Sequence, residues 1–372
     1  MKSFYRRPLP PNLIPFTSQK GKQLFKQCLD EGLLEGYFGL AENYVAQKDP
    51  AFCGLGTLAM CLNALEVDPG KQWKGIWRWY SDEMLECCTS LEVVRQRGTS
   101  CDEFQCIGKC NGLLIEFKPA NKHSVEEFRN DLTLSSKSNQ KILVVSFDRT
   151  LLGQTGTGHY SPIGAFLPSE DKVLIMDVAR FKYPSFWASC DLLFKAMNTF
   201  ETGTFSSRGY FIVSRNKNQT SQLLTRMMRG TESMLSLKRL DRNEIQKHKT
   251  VKSLLQQIIN CLPTVKIAEE GIDLAGPGLT KEFEQDLHEF RSQIQSLDLY
   301  KIVVEISERP LIDSVLLLSM PEELLEKIDP EVKRELDILR NVSLSDVAMN
   351  EIAKLRLQME AITDFCGCHS KQ

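Results

Sequence analysis

The chain has 372 residues, of which 42% are hydrophobic and 25% are charged, and its formal net charge is −2. This composition is that of an ordinary globular protein, and the length allows two domains. A balanced charge creates no field that would draw the chain to nucleic acid or to an anionic membrane, so polyanionic partners are not expected.

The N-terminal residues do not have the pattern of a targeting segment. Residues 1–8 lack the apolar stretch of a signal peptide, and no apolar run reaches the length of about 18 residues that spans a membrane. We therefore expect a cytoplasmic protein. The twelve cysteines are too dilute for a disulfide scaffold, so each is expected to serve packing, metal binding or catalysis.

The predicted elements of the first part are helices followed by strands. Apolar spacing predicts helices near residues 19–34 and 54–66. β-Rich runs bounded by Gly, Pro, Asp or Ser follow at residues 141–147, 159–166, 172–177 and 209–214. These runs lie too close together for helical crossovers, so an antiparallel sheet behind an N-terminal helical layer is expected, which is an α+β fold.

A polar, turn-prone segment at residues 216–222 separates this part from the rest, and we predict two domains, 1–215 and 216–372. The second domain is expected to be mostly helical. Residues 319–322 have the pattern of a capping box that opens one helix. One apolar stripe at helical spacing comprises Phe283, Leu287, Phe290, Ile294 and Leu297. The stripe is compatible with packing on the first domain, which is favoured, with a homodimer, or with metal sensing.

Cys53 is a candidate nucleophile. It follows Pro50 and opens a stretch with helical apolar spacing, where free amides and the helix dipole favour a thiolate. Gln47, on the loop just before, can aim its amide at the oxyanion formed in acyl transfer, and one such donor is typically worth roughly 3–4 kcal/mol. The alternative is that Cys53 is a small buried core residue.

His159 and Asp177 are the candidate base and orienting acid. Of the five histidines, only His159 enters a predicted strand from a small-residue turn, although a structural histidine is the alternative. Asp177 ends an apolar strand, where a carboxylate needs a hydrogen-bond donor. If strands 159–166 and 172–177 pair as a hairpin, Asp177 lies near His159, as in a catalytic triad. An ion pair with Arg180 is the alternative for Asp177.

Several extended motifs closely resemble those of the phytochelatin synthases, papain-like enzymes also called glutathione γ-glutamylcysteinyltransferases. The resemblance covers about residues 4–215. It is carried by FYRR (4–7) with LP (9–10), PAFCGL (50–55), LNAL (62–65), WKGIWRW (73–79), QTGTGH (154–159) and DVARFKYP (177–184). The chain departs from the family at Phe52, where Tyr is usual, and at Cys61, where an aliphatic residue is more usual.

The resemblance implies a papain-like domain in which Cys53 is the nucleophile, His159 the base and then acid, Asp177 the orienter and Gln47 the oxyanion donor. It implies that glutathione is cleaved at its Cys–Gly bond and that γ-Glu-Cys passes to the amine of a second glutathione or a phytochelatin. A hydrolase using the same residues is the alternative enzyme. A thiol-rich protein that sequesters metal without catalysis is the alternative of another class.

Arg149, Arg180, Lys182 and Tyr183 lie in or beside the matched segments, and the resemblance makes them candidates for binding the substrate's carboxylates. A solvated charged face is the alternative for Arg149 and Lys182. The tryptophans of the matched segments are expected to belong to the core: Trp73, Trp77 and Trp79.

The resemblance also implies a heavy-metal ion, Cd²⁺, Zn²⁺ or Cu⁺, delivered as a glutathione thiolate complex, and no organic cofactor. Cys366, Cys368 and His369 are the candidate protein ligands. Other cysteines have spacings that do not match closed zinc sites, so burial is favoured for Cys87, Cys88, Cys101, Cys106 and Cys110.

Overall fold

The computed structural model describes residues 6–69, 77–85, 88–201, 206–217, 225–227, 247–260, 265–267, 281–322, 325 and 328–367. The chain divides into two units. The first comprises residues 1–68, 79–85 and 91–217, and the second comprises residues 69–78, 86–90 and 218–372. The predicted domain boundary at residue 215 stays a prediction.

The part of the first unit that the structure describes contains seven α-helices, and several of them begin at capping serines. Ser18 caps the first of them through its hydroxyl, and Ser100 and Ser124 each form a capping box with the residue three positions on. The helices are α1 (Gln19–Asp30), α2 (Glu35–Glu42), α3 (Cys53–Ala64), α4 (Leu91–Arg97), α5 (Cys101–Cys110), α6 (Val125–Ser136) and α7 (Cys190–Met197).

A seven-stranded sheet forms the centre of the first unit, and each neighbouring pair is antiparallel. Its strands are β1 (Ile14–Pro15), β2 (Leu113–Pro119), β3 (Lys141–Asp148), β4 (Gly158–Leu167), β5 (Lys172–Ile175), β6 (Phe186–Ser189) and β7 (Gly209–Arg215). The spatial order is β1-β6-β5-β4-β3-β7-β2. The predicted α+β class is confirmed, and the architecture is consistent with a papain-like domain.

Helices cover both faces of this sheet. Val173 and Ile175 of β5 belong to one apolar cluster with Phe128 of α6, whereas Leu174 belongs to a second cluster with Leu24 of α1. Successive side chains of a strand point to opposite faces, so the apolar run of β5 contributes to both clusters. The strands are thus held between two layers, which fixes the residues at their ends.

The second unit is mostly helical. It contains α8 (Val251–Ile259), α9 (Lys281–Ser296), α10 (Asp298–Val304), α11 (Pro310–Ser319), α12 (Pro330–Arg340) and α13 (Asp346–Gly367), with the two-stranded sheet of β8 (Thr225–Met227) and β9 (Val265–Ile267). Of the predicted stripe, Leu287, Phe290 and Ile294 are buried in its core, and Leu297 packs against them. The side chain of Phe283 lies outside the described residues.

Two expectations about these elements are wrong. Ser319 does not cap a new helix, because it is the last residue of α11 and its Oγ donates to the Val315 carbonyl at 2.7 Å. Trp77 and Trp79 are 69% and 38% exposed, so they are not core residues, and Trp73 lies outside the described residues. Within the described part of the chain, no helix combines the length and apolarity needed to cross a bilayer.

Candidate active site

The candidate catalytic side chains come from the ends of two adjacent strands and from one helix start. Cys53 is the first residue of α3, His159 is the second residue of β4, and Asp177 follows β5. Thr57 of α3 donates its hydroxyl to the Tyr160 carbonyl of β4 at 3.2 Å, which ties the nucleophile's helix to the histidine's strand. The structure therefore brings the three residues together.

The turn before His159 depends on glycine. Gly156 has φ +95°, a left-handed conformation that side chains with a Cβ rarely adopt. This turn reverses the chain between β3 and β4, whose register places Phe147 opposite His159. The imidazole also contacts the Phe147 ring edge to face, with centroids 5.6 Å apart, so its plane is fixed by packing.

Asp177 fixes the orientation of the His159 ring. Nε2 of His159 lies 3.0 Å from Oδ1 of Asp177, and Oγ of Ser161 lies 2.9 Å from the same nitrogen. A carboxylate can only accept, so this contact favours the tautomer with the proton on Nε2. Nδ1 is then the ring nitrogen that can serve the Cys53 thiol, whose pKa His159 lowers.

Cys53 has an activated thiol. Burial alone would raise its pKa, but the hydrogen bond and charge of His159, the Tyr160 backbone N–H and the charge of Arg149 outweigh that effect and lower the pKa below its ordinary value. Cys61, two turns further along α3, is equally buried, and burial raises its pKa strongly. The thiolate is the nucleophilic form, so the environment and not burial distinguishes Cys53.

Asp177 stays ionised although it is fully buried. Burial would raise its pKa, but His159 and Arg149 hold the pKa well below its usual range. Nη2 of Arg149 donates to both carboxylate oxygens at 2.9 and 2.8 Å, and the backbone N–H of Ala179 donates to Oδ1 at 2.8 Å. Arg180 was the alternative partner for Asp177. Among the described residues, Arg180 forms no ion pair with Asp177.

Arg149 lies against Asp177, whereas its sequence position suggested a place in the substrate-binding surface. Its side chain is 3% exposed, and it donates to Gln154 as well as to Asp177. Its guanidinium is also 5.3 Å from the Tyr183 ring centroid. These contacts do not support a role in binding substrate carboxylates, because the guanidinium is directed to the catalytic acid.

Sequence reasoning missed the positions of Arg149 and Ser161 relative to the triad. Strand register was the signal that could have placed Arg149. Arg149 directly follows β3, and β3 pairs with the strand that carries His159. The backbone N–H of Arg149 donates to the Thr157 carbonyl at 2.9 Å. Ser161 lies on β4 two residues after the histidine and therefore on the same face.

Gln47 lies beside the nucleophile's helix, packed closely enough that a Cβ at Gly56 would lie 3.3 Å from the Gln47 Cβ. Its backbone N–H donates to the Val178 carbonyl at 3.0 Å. Its side-chain Nε2 donates to the carbonyls of Asp49 and Pro50 at 2.8 and 2.9 Å. The oxyanion role stays a prediction, because this amide is used by the loop and would have to turn towards a bound substrate.

The remaining substrate candidates lie around the same edge of the sheet. Arg180 is exposed, and its guanidinium lies 4.5 Å from the ring centroid of Tyr44, whose hydroxyl donates to the Asp177 carbonyl. Lys182 donates to the Thr155 carbonyl at 2.6 Å, and the buried Tyr183 hydroxyl accepts from the Thr155 N–H at 2.9 Å. Among these, Arg180 presents the most accessible cation.

The other cysteines are mostly buried. Cys101, Cys106 and Cys110 of α5 are at most 7% exposed, and Cys88 is fully buried, as the spacing argument favoured. The sulfurs of Cys106 and Cys110, one turn apart, lie within 4.8 Å of each other. The predicted tail ligands, Cys366, Cys368 and His369, and also Cys87, lie outside the residues whose side chains the structure describes.

Comparison with known proteins agrees with this site. The family model for phytochelatin synthase matches residues 4–210, which include all of the proposed catalytic residues. The chain belongs to the phytochelatin synthase family. It is 35% identical to a glutathione gamma-glutamylcysteinyltransferase of Schizosaccharomyces pombe, in an alignment covering 99% of this chain and 89% of that protein.

Plant members of the family match over a shorter span. The chain is 40% identical to glutathione gamma-glutamylcysteinyltransferase 3 of Lotus japonicus and 38% identical to glutathione gamma-glutamylcysteinyltransferase 2 of Arabidopsis thaliana. These alignments cover 72% and 71% of this chain and 59% of each plant protein, so the chain spans less than two thirds of their length. Family membership makes the chain an enzyme of the acyltransferase class.

Proposed function

We propose that the enzyme makes phytochelatins by transferring γ-Glu-Cys units between glutathione molecules through an acyl-enzyme on Cys53. The observation that carries this proposal is the grouping of a helix-start thiol, the His159 ring and the Asp177 carboxylate that holds the ring at 3.0 Å; the lowered pKa of Cys53 supports it. The names of the relatives support glutathione as the acyl donor.

In the first half-reaction, the Cys53 thiolate attacks the carbonyl of the Cys–Gly peptide bond of glutathione. The protonated His159 then gives its proton to the departing amine, so glycine leaves and a thioester forms. The negative oxygen of the tetrahedral intermediate lies near the start of α3, where helix amides are free to donate, and Gln47 is the proposed additional donor.

In the second half-reaction, the α-amine of another glutathione or of a phytochelatin attacks the thioester. His159, now neutral, accepts the amine's proton, and the thiolate leaves. Asp177 stabilises the imidazolium in both halves, and Arg149 holds the Asp177 carboxylate in place. Arg180, Lys182 and Tyr183 are the proposed substrate-binding residues, with Arg180 best placed to hold a carboxylate because it is exposed.

We propose heavy metal as part of the acceptor substrate, in the form of a bis-thiolate of glutathione, and heavy-metal detoxification as the role. Soft ions such as Cd²⁺ bind thiolates in preference to oxygen ligands. Tail residues Cys366, Cys368 and His369 are a proposed capture site for that metal, which truncation after Phe365 would test through the metal response. The cytoplasmic location and the homodimer stay predictions from the sequence.

The products of the purified enzyme test this function. Incubation with glutathione and Cd²⁺, followed by mass spectrometry, is expected to give oligomers of γ-Glu-Cys and one glycine per transfer. Free γ-Glu-Cys without oligomers would instead identify a hydrolase. A Cys53→Ala protein that still made oligomers at the normal rate would overturn the proposed nucleophile.

A further inference from the structure

A groove in the second unit is lined by more cationic than acidic side chains. It lies against α11, α12 and α13 and has a volume of about 790 Å³, which is within the usual range of small-molecule sites. Its charged lining comprises Lys333, Arg334, Arg340 and Arg356 with the acids Glu322 and Asp337. Four cations and two acids leave a formal excess of two positive charges.

Arg340 is a largely buried cation of this groove. Its side chain is 7% exposed, its Nη1 donates to Oε1 of Glu322 at 2.9 Å, and its Nη2 donates to the Met320 carbonyl. Its Nε is inaccessible and has no hydrogen-bond partner among the described residues. Glu322 is 61% exposed and therefore gives this guanidinium only a solvent-screened countercharge.

Arg356 of α13 adds a second guanidinium to the same groove. Its Nη2 donates to the Leu318 carbonyl at 3.2 Å, and its Nε is also buried, with no partner in the part of the chain that the structure describes. Burial and then the charge of Arg356 lower the pKa of Arg340, although Glu322 and Asp337 act in the opposite direction. Two guanidinium groups that line one groove and act on each other through their charges form a place where an anion would be stabilised.

Apart from Asn341, the uncharged lining of the groove is apolar. Leu318, Ile328 and Pro330 line it together with Ile338, whose side chain is 70% exposed. A bare inorganic anion would leave this surface in water, whereas an organic acid with a carbon chain would cover it. The lining thus fits a ligand that combines carboxylates with apolar groups.

We propose that this groove binds γ-glutamyl peptides through their carboxylates, with Arg340 and Arg356 as the anion-binding residues. The peptide identity rests on the proposed function, whereas the anionic character of the ligand rests on the groove alone. Glutathione has two carboxylates, and each further γ-Glu-Cys unit adds one. Longer products therefore bind more tightly than glutathione, which makes the groove a sensor of accumulated product.

Hydrogen exchange on the full chain tests the proposal. The Cys53→Ser protein, which cannot turn over substrate, is exposed separately to glutathione, to a peptide with three γ-Glu-Cys units, and to inorganic phosphate. Both peptides are expected to slow exchange in α12, the longer one at lower concentration. Arg356→Gln is expected to weaken this effect about tenfold or more, while protection around His159 persists.

A matched variant controls for charge. Lys252 lies on α8 of the same unit, is exposed and does not line the groove, so Lys252→Gln should leave the protection of α12 unchanged. Phosphate that protects α12 as well as the peptides do would reveal a general anion site and overturn the peptide assignment. Absence of protection in α12 with all three probes would overturn the site itself.

The two proposals fail separately. If glutathione protects the region around His159 but not α12, and the wild-type enzyme makes oligomers, the groove assignment fails and the proposed function stands. If α12 is protected but the wild-type enzyme makes no oligomers, the proposed function fails and peptide binding in the groove stands.

Discussion

Arg149 and Asp177 form a buried ion pair directly behind the catalytic histidine. Nη2 of Arg149 contacts both carboxylate oxygens, and the two side chains are 3% and 0% exposed. Such a pair adds little net stability over apolar residues of the same shape, but loss of one partner costs about 3–5 kcal/mol. Its main effect is to fix one position and one charge state for the carboxylate.

Replacement of Arg149 should therefore impair the chemistry more than substrate binding. Arg149→Met is expected to lower kcat about tenfold or more, with a smaller change in KM, and to move the acid limb of the pH profile upwards because the Asp177 pKa rises. Arg149→Lys keeps the positive charge but loses the planar guanidinium with its several donors. Its kcat should therefore lie between those of Arg149→Met and the wild type. A raised KM with unchanged kcat would instead support the substrate-binding interpretation.

The low pKa of Asp177 predicts a specific pH dependence of stability. Because its pKa is depressed in the folded state, its contribution is complete above the unfolded value of about 3.9 and is lost as pH falls below it. Thermal unfolding of the wild type and Asp177→Asn should differ most near neutral pH and converge in acid. A difference in Tm that is constant from neutral to acid pH would contradict the depressed pKa.

Thiol reactivity should separate Cys53 from the other buried cysteines. Burial raises the pKa of Cys28 to about 12, whereas that of Cys53 is lowered. Brief treatment with iodoacetamide near pH 7, followed by peptide mapping, should modify Cys53 first and abolish activity. Cys61→Ala is the matched control on the same helix and should keep most activity. Equal labelling of Cys28 and Cys53 in the folded enzyme would contradict thiolate activation.

Replacement of His159 should reduce activity more severely than replacement of Asp177. His159→Ala removes the proposed base and should abolish acylation, seen as no glycine release from glutathione. Asp177→Asn keeps a hydrogen-bonding side chain but loses the charge that holds the imidazolium, so reduced yet measurable turnover is expected. Glycine release by His159→Ala at the wild-type rate would exclude the proposed base.

Arg180 is the proposed carboxylate-binding residue with the clearest test. Arg180→Ala should raise KM for glutathione about tenfold while kcat changes less, since a charged hydrogen bond to substrate is lost. Lys20→Gln removes another exposed cation, which pairs with Glu170 at the surface, and should change neither constant. A fall in kcat without a change in KM would place Arg180 outside the substrate site.

The strands that carry the site could be predicted from the sequence because their signals are local. The runs at 141–147 and 159–166 become β3 and β4 with ends shifted by one residue, and the predicted pairing of β4 with β5 places Asp177 beside His159. Apolar β-branched residues between turn-forming residues specify where each strand lies in the sequence and in which register it pairs.

Other features could not be predicted, because they depend on contacts between different segments of the chain. The predicted helix 19–34 ends at Asp30, and Gly32 has φ +66°. β6, with four residues, is too short for a periodic signal. The partner of Arg149 was also beyond local reasoning, because an arginine after a strand looks the same whether it faces solvent or a buried carboxylate.

The hydroxyl contact from Thr57 to Tyr160 joins segments 103 residues apart along the chain, and it ties the helix of Cys53 to the strand of His159. Contacts of this kind form late in folding, because long loops must close first. A newly made or partly unfolded chain therefore carries an ordinary, weakly reactive thiol at position 53. On the proposed mechanism, Cys53 can be acylated only after the sheet is complete, so that reactivity depends on correct folding.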